Sequence, residues 1–139
     1  MPSAAVQADS LIIRLARDQR TTLDQRFAAF DLTSQQAGLL IHVFTGHTSP
    51  KMLADLLGTD TAAVTRLVDR LEGKALVARE PDLGDRRAIV VRLTKSGRAL
   101  IPELPPIFEA VGAEMTRGEK SNEVARLLAA MLANLGPDE

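Results

Sequence analysis

The sequence predicts a mainly α fold with a small β-hairpin wing, a winged helix-turn-helix flanked by N- and C-terminal dimerisation helices. Three observations carry that prediction. Apolar residues recur at helical spacing on both sides of the middle of the chain. Between Leu76 and Leu93 the period changes, and β-branched residues gather in the second half of that stretch. Helix starts are marked by Thr33, Ser49-Pro50, Asp60 and Thr94.

Taken in order, Leu11, Ile12, Leu15, Leu23, Phe27 and Phe30 approximate one apolar stripe, which predicts a first helix from about Ala8 to Phe30. Thr33 and Gln36 form a T-x-x-Q capping box, so a second helix starts at Ser34, with Leu39, Leu40 and Val43 on its apolar face and Gly46 to end it. Ser49 caps a third, short helix whose first residue is Pro50, where the missing amide costs nothing. That helix stops at Gly58. Asp60 caps a fourth from Thr61 to about Lys74, with Val64, Leu67, Val68 and Leu71 at i, i+3, i+4 and i+7. Leu76–Glu80 and Ala88–Leu93 read as strands, joined by the loop Pro81 to Arg87. Thr94 restarts a helix that meets Pro102, Pro105 and Pro106, so a kink or break is expected near Glu103–Pro106. Thr116 and Glu119 form a further capping box, and Gly136-Pro137 ends a last helix striped by Val124, Leu127, Leu128, Met131, Leu132 and Leu135.

The whole of 1–139 reads as a single domain, with 8–46 and 95–135 as dimerisation or support helices and 47–93 as the DNA-binding winged helix-turn-helix. With no cysteine, disulfides, thiol nucleophiles and cysteine-rich zinc sites are excluded, and two histidines argue against a dedicated zinc sensor, leaving only carboxylate-assisted sites open. No cofactor is expected. No apolar run approaches the ~20 residues of a membrane span, and Met1–Asp9 lacks the basic start of a secretory signal, so the expected location is the cytoplasm and no membrane partner is expected. Nor is an enzyme expected: there is no Ser-His-Asp context, phosphate-cradling glycine loop or metal triad.

The net charge of −1 is uninformative, but its distribution is not. From Lys51 to Arg98 there are ten Lys/Arg against seven Asp/Glu, so this segment is +3 and the remainder −4. A helix-turn-helix lays its second helix in the major groove. Here the turn is Gly58-Thr59-Asp60, and the second helix leaves Thr61, Ala62, Thr65, Arg66 and Arg70 facing outward. Small residues at its start allow close approach. Thr65 suits a base edge or a thymine methyl, Arg66 a guanine or phosphate, and Arg70 a phosphate. Ser49, at the start of the preceding helix, joins this DNA-binding set. At the hairpin, an arginine of Asp85-Arg86-Arg87 suits the narrow minor groove, and Asp85 is expected to pair with a neighbouring arginine and orient it. The expected partner is double-stranded DNA. A winged helix that binds protein and not DNA is the competing reading, disfavoured by Arg66, Arg70 and Arg86 together.

The runs Leu53-Ala-Asp-Leu-Leu-Gly58, Val64-Thr-Arg-Leu-Val-Asp-Arg-Leu71, Leu76-Val77, Asp85-Arg86-Arg87 and Leu93-Thr-Lys-Ser-Gly97 together resemble the MarR family of bacterial transcription regulators along nearly the whole chain. The resemblance implies a homodimer, commonly a repressor, on a pseudo-palindromic operator. It implies a recognition helix at Thr61–Lys74, a wing at Arg79–Arg92, and a small aromatic or anionic effector lodged between dimer helices and winged domain, for which Arg14, Phe30 and His42 are the candidate residues. Arg17 and His47 are further basic groups, although His42 lies opposite its helix's apolar face and suits a surface or dimer contact better. The four phenylalanines suit core better than a ligand cage. Two positions depart from the family's pattern: Ala75 stands where a glycine is usual, and Pro105-Pro106 interrupts the linking helix. The proline-broken segment Glu103–Pro106 is expected to hinge the dimer body against the DNA head.

Overall fold

The computed structural model describes residues 1–117 and 120–136. Among the described residues, seven α-helices and one hairpin follow one another: α1 (Ala4–Phe27), α2 (Ser34–Phe44), α3 (Pro50–Leu56), α4 (Thr61–Gly73), β1 (Val77–Pro81), β2 (Ile89–Leu93), α5 (Lys95–Leu100), α6 (Pro105–Met115) and α7 (Ser121–Asn134). The mainly α fold with a hairpin wing is as expected.

The local signals act as their chemistry dictates. Thr33 and Gln36 close a reciprocal capping box on α2. Ser49 accepts from Met52 N–H at 3.1 Å and Asp60 from Ala63 N–H at 2.8 Å, each occupying an amide that a helix start leaves unpaired. Three expectations need correction. The first helix begins at Ala4, ahead of Ala8, because Ser3 accepts from Val6 N–H, and it gives way after Phe27 to a single 3-10 turn, Ala28–Phe30. The first strand starts at Val77, since Leu76 N–H is used to close the end of α4 on the Leu71 carbonyl. The second starts at Ile89, since Ala88 N–H closes the loop turn on the Asp85 carbonyl. The break expected near Glu103–Pro106 is present: α5 ends at Leu100, Pro102 lies in a 3-10 turn, and Pro105 and Pro106 fill the first turn of α6, where few donors are lost. This corner is packed, with Ile101 and Leu104 buried. The box expected from Thr116 and Glu119 lies outside the described residues, as does Pro137. Thr116 itself ends α6, its hydroxyl donating to the Gly112 carbonyl at 2.9 Å.

The core lies under α4. Val64, Leu67, Val68 and Leu71 meet Leu39, Leu40 and Val43 of α2, Leu53 of α3, and Val77 and Val91 of the hairpin, all buried. Leu23 and Phe27 extend it to the foot of α1, where Phe27 packs on Phe108 of α6 with ring centroids 4.9 Å apart. Beyond that foot the described residues leave much apolar surface uncovered. Leu11, Ile13 and Leu15 of α1 and Leu127, Leu132 and Leu135 of α7 are all at least half exposed.

The junction after α4 fixes the wing. Lys74, Ala75 and Leu76 form a Schellman-type ending, with Ala75 N–H on Glu72 and Leu76 N–H on Leu71. That ending needs a left-handed residue, and Ala75 takes it at φ +59°. Thr94 then ties three elements: its hydroxyl donates to the Ala75 carbonyl at 2.7 Å, its N–H to the Leu76 carbonyl at 3.1 Å, and its oxygen caps α5 by accepting from Gly97 N–H. Gly97 has no room for a side chain, because a Cβ there would stand 2.1 Å from the Leu76 carbonyl oxygen.

Candidate nucleic-acid interface

Helices α3 and α4 are joined by the turn Gly58-Thr59-Asp60, with Gly58 at φ +65°. The conformation is one a glycine adopts at no steric cost. Because the buried stripe of α4 is fixed by Val64, Leu67, Val68 and Leu71, the remaining positions must face out. Thr61, Ala62, Thr65, Arg66 and Arg70 are all exposed. Thr65 donates its hydroxyl to the Thr61 carbonyl at 3.0 Å, so its oxygen is left to accept. The Ser49 hydroxyl oxygen is engaged as the α3 cap, which leaves its proton to donate. Among the described residues, Arg66 and Arg70 make no ion pair.

β1 and β2 are antiparallel in the register Val77↔Leu93, Arg79↔Val91 and Pro81↔Ile89. Beyond the ladder, Asp82 accepts from Gly84 N–H at 3.0 Å and Asp85 from Arg87 N–H at 3.0 Å. The role expected of Asp85 is thus corrected. Its carboxylate organises the turn by accepting a backbone amide, and among the described residues it pairs with no arginine side chain. Short aspartate side chains favour this local bond over reaching a flexible guanidinium. Arg86 and Arg87 are exposed on that turn, likewise without an ion-pair partner among the described residues.

Sequence reasoning missed Arg79. Only 24% of its side chain is exposed; it lies 2.7 Å from Asp69, pairs with Glu72, and donates to the Thr65 carbonyl at 3.2 Å. Burial works against its charge, but the hydrogen bonds and negative charges of Asp69 and Glu72 outweigh that and hold its pKa above the usual arginine value. Nothing in a one-dimensional pattern marks a strand arginine as the partner of a helix seven to ten residues earlier, although Asp69 and Glu72 at i, i+3 are a recognisable pair on one helix face.

The effector residues named from the sequence do not come together. An open cleft of about 680 Å³ lies between α1, α2, α3 and α6, and His42 lines it, with Arg20, Gln35, Leu57, Phe108 and Glu109. Arg14 lies outside the cleft on the exposed part of α1, and Phe30 packs against the core. His42 lines this cleft half-buried; burial first, and the neighbouring His47 second, lower its pKa. Arg20 donates to Gln35 at 3.0 Å inside the cleft. Helical phase does point to Arg20, since Ala16, Gln19, Arg20 and Leu23 fall at i, i+3, i+4 and i+7 along the side of α1 that ends in the buried Leu23. Of the phenylalanines, Phe27 is core, Phe30 and Phe108 are half-buried against it, and Phe44 is 52% exposed.

Two short helices around a glycine turn, followed by a hairpin that carries arginines, define a winged helix-turn-helix. A model of the MarR family matches residues 30–88. The structure resembles BldR, a transcriptional regulator from Sulfolobus solfataricus, with a TM-score of 0.86 at 26% identity over 94% of this chain and 96% of that one. It also resembles a mutant of MarR from E. coli complexed with operator DNA (TM-score 0.79, 26% identity, 95% and 96% covered). A third similar structure is the S. aureus MepR–DNA complex (TM-score 0.78, 25% identity, 91% and 97% covered). The chain is thus similar to the MarR family in sequence over residues 30–88 and in fold over nearly all of its length.

Proposed function

We propose that the chain is a sequence-specific DNA-binding transcription regulator, a repressor whose homodimer holds a pseudo-palindromic operator and is released by a small aromatic or anionic ligand. The observation that carries the DNA reading is the set Arg66, Arg70, Arg86 and Arg87. Two exposed arginines on α4 and two on the wing turn stand without ion-pair partners among the described residues, next to Arg79, whose charge is fully engaged. Free guanidinium groups on both elements suit phosphates and groove edges. A protein-binding wing has no call for them, and the solved operator complex of E. coli MarR supports the same use of the fold.

In this reading Thr61, Ala62 and Thr65 let the start of α4 approach base edges, and Thr65 and Arg66 read bases. Arg70 and the Ser49 hydroxyl hold phosphate. Arg86 enters the minor groove from a turn that Asp85 organises, with Arg87 beside it. Two-fold pairing through the uncovered apolar faces of α1 and α7 brings two such heads to one operator, and the winged region 47–93 is then the DNA-reading part of one domain whose flanking helices pair. The effector enters the cleft lined by Arg20 and His42, where a guanidinium and an imidazole suit an anion. Such a protein works in the cytoplasm, beside the DNA, and catalyses no reaction.

Fluorescence anisotropy on duplex DNA at rising salt tests the reading. Affinity is expected to fall steeply, with log K losing about 0.9 per neutralised phosphate for each log unit of salt. Arg70→Ala is expected to lower that slope by about one such phosphate. No binding at low salt assigns the chain to the protein-interaction reading instead.

A further inference from the structure

The ribbon of β1 and β2 stands on a narrow base. Two strands alone are marginal in water, and Arg86 and Arg87 lie beyond the last register pair, Pro81↔Ile89. The direction of the ribbon against α4 must therefore be held by contacts between the two. Val77 anchors its root in the core. Arg79, two residues on and so on the same face of the strand, reaches the helix itself. Its guanidinium bridges Asp69 and Glu72, which lie three apart on one face of α4, and donates to the Thr65 carbonyl one turn earlier. Its backbone N–H also donates to Glu72 Oε2, at 3.3 Å. One planar fork thus lies along two turns of α4 while its own backbone is a rung of the ribbon.

We propose that Arg79 is a positioning residue for DNA recognition: by bridging Asp69, Glu72 and the Thr65 carbonyl it sets the angle between the wing and the recognition helix, so that both reach one duplex together. The inference rests on the DNA-binding reading. Three of the five guanidinium N–H donors of Arg79 are taken by Asp69, Glu72 and the Thr65 carbonyl, and its charge is matched by the two carboxylates, so its part is to position and not to hold phosphate. It also cancels a conflict, because two bare carboxylates on the recognition helix would repel the DNA backbone. The fork geometry is needed and not only the charge: a lysine ammonium is a point charge that cannot span both carboxylates and the carbonyl at once.

The test uses a duplex selected by the wild-type protein from random DNA and a scrambled duplex of equal length. Affinity for both is measured by anisotropy across a salt series, with circular dichroism to confirm that each variant is folded. Arg79→Lys is expected to weaken binding to the selected duplex by about tenfold or more, while scrambled-duplex affinity and the salt slope stay roughly unchanged. The double variant Asp69→Asn, Glu72→Gln is expected to lose selected-duplex affinity comparably, although it removes two negative charges. Adding Arg79→Gln to that double variant is expected to cost little more, because the three groups act as one unit. Tighter binding of both duplexes by the double variant would overturn the proposal, showing that the carboxylates only repel. So would full affinity in Arg79→Lys, or equal loss on both duplexes with a shallower salt slope, either of which makes Arg79 a plain contact charge. Arg79→Lys and the carboxylate variants decide the matter even where Arg79→Gln does not fold. A wild-type protein that binds neither duplex brings down the DNA-binding reading itself, and this inference with it, before any variant is compared.

Discussion

Leucines in two parts of this molecule have opposite surroundings. Those of α2 to α4, such as Leu39, Leu40, Leu53 and Leu71, are entirely out of solvent. Those of α7, such as Leu127, Leu132 and Leu135, are 62%, 75% and 87% exposed, and α7 buries no residue at all. The head is closed within one chain. The outer half of α1 and most of α7 keep helical apolar stripes that the described residues of this chain leave exposed, which is the pattern of a surface completed by a second copy. Head stability should therefore be independent of protein concentration, whereas the stability of the arms should follow it.

The largest effects belong to the head. Gly97→Ala drives a methyl against the Leu76 carbonyl, and Leu71→Ala empties a fully buried site. Each is expected to cost about 3 kcal/mol in urea unfolding, with the same shortfall at every protein concentration. Next comes the pair Leu128→Glu and Leu132→Glu on α7. Sedimentation should show a monomer, DNA affinity should collapse, and the thermal midpoint should no longer rise with concentration; a dimer of unchanged strength would refute the contrast. Ala75→Gly is smaller and opposite in sign. Relief of the left-handed alanine outweighs the added freedom of the unfolded chain by about 0.5–1 kcal/mol, raising the melting temperature. The smallest concerns His42. Its folded pKa lies below the ordinary 6.5, so the unfolded chain binds the proton more readily. Stability is complete above that value and is lost as pH falls toward the folded pKa. Urea midpoints at pH 7.5 and 5.5 should converge in His42→Gln relative to wild type.

What was legible from the sequence is what is local. A cap and its amide are three residues apart, so Thr33, Ser49 and Asp60 announced their helices, and the stripe of α4 announced its buried face. The strand starts were misread by one residue because Leu76 and Ala88 are each claimed by a turn bond that hydrophobic pattern does not record. The bridge from Arg79 to Asp69 and Glu72, and the meeting of Arg20, His42 and Phe108 around one cleft, join residues from separate elements. Only the packing of α1, α2 and α6 brings the latter together. Asp85 was misassigned for the same reason in reverse, its nearest amide being a closer partner than any arginine side chain.

The hairpin has a further property. Arg79 and Val91 face each other in register, and their backbone N–H groups point away from the ladder. On one side that amide is occupied by the Glu72 carboxylate; on the other, Val91 N–H donates to the Thr48 carbonyl at 2.9 Å. Pro81, next along the outer edge of β1, has no N–H to offer. Each margin of the ribbon thus has one outward amide already occupied, and β1 has a proline beyond it, which disfavours an incoming strand. Edge-to-edge zipping of two wings is thereby disfavoured, even where copies crowd along a length of DNA, and the joining of two chains falls to the helices.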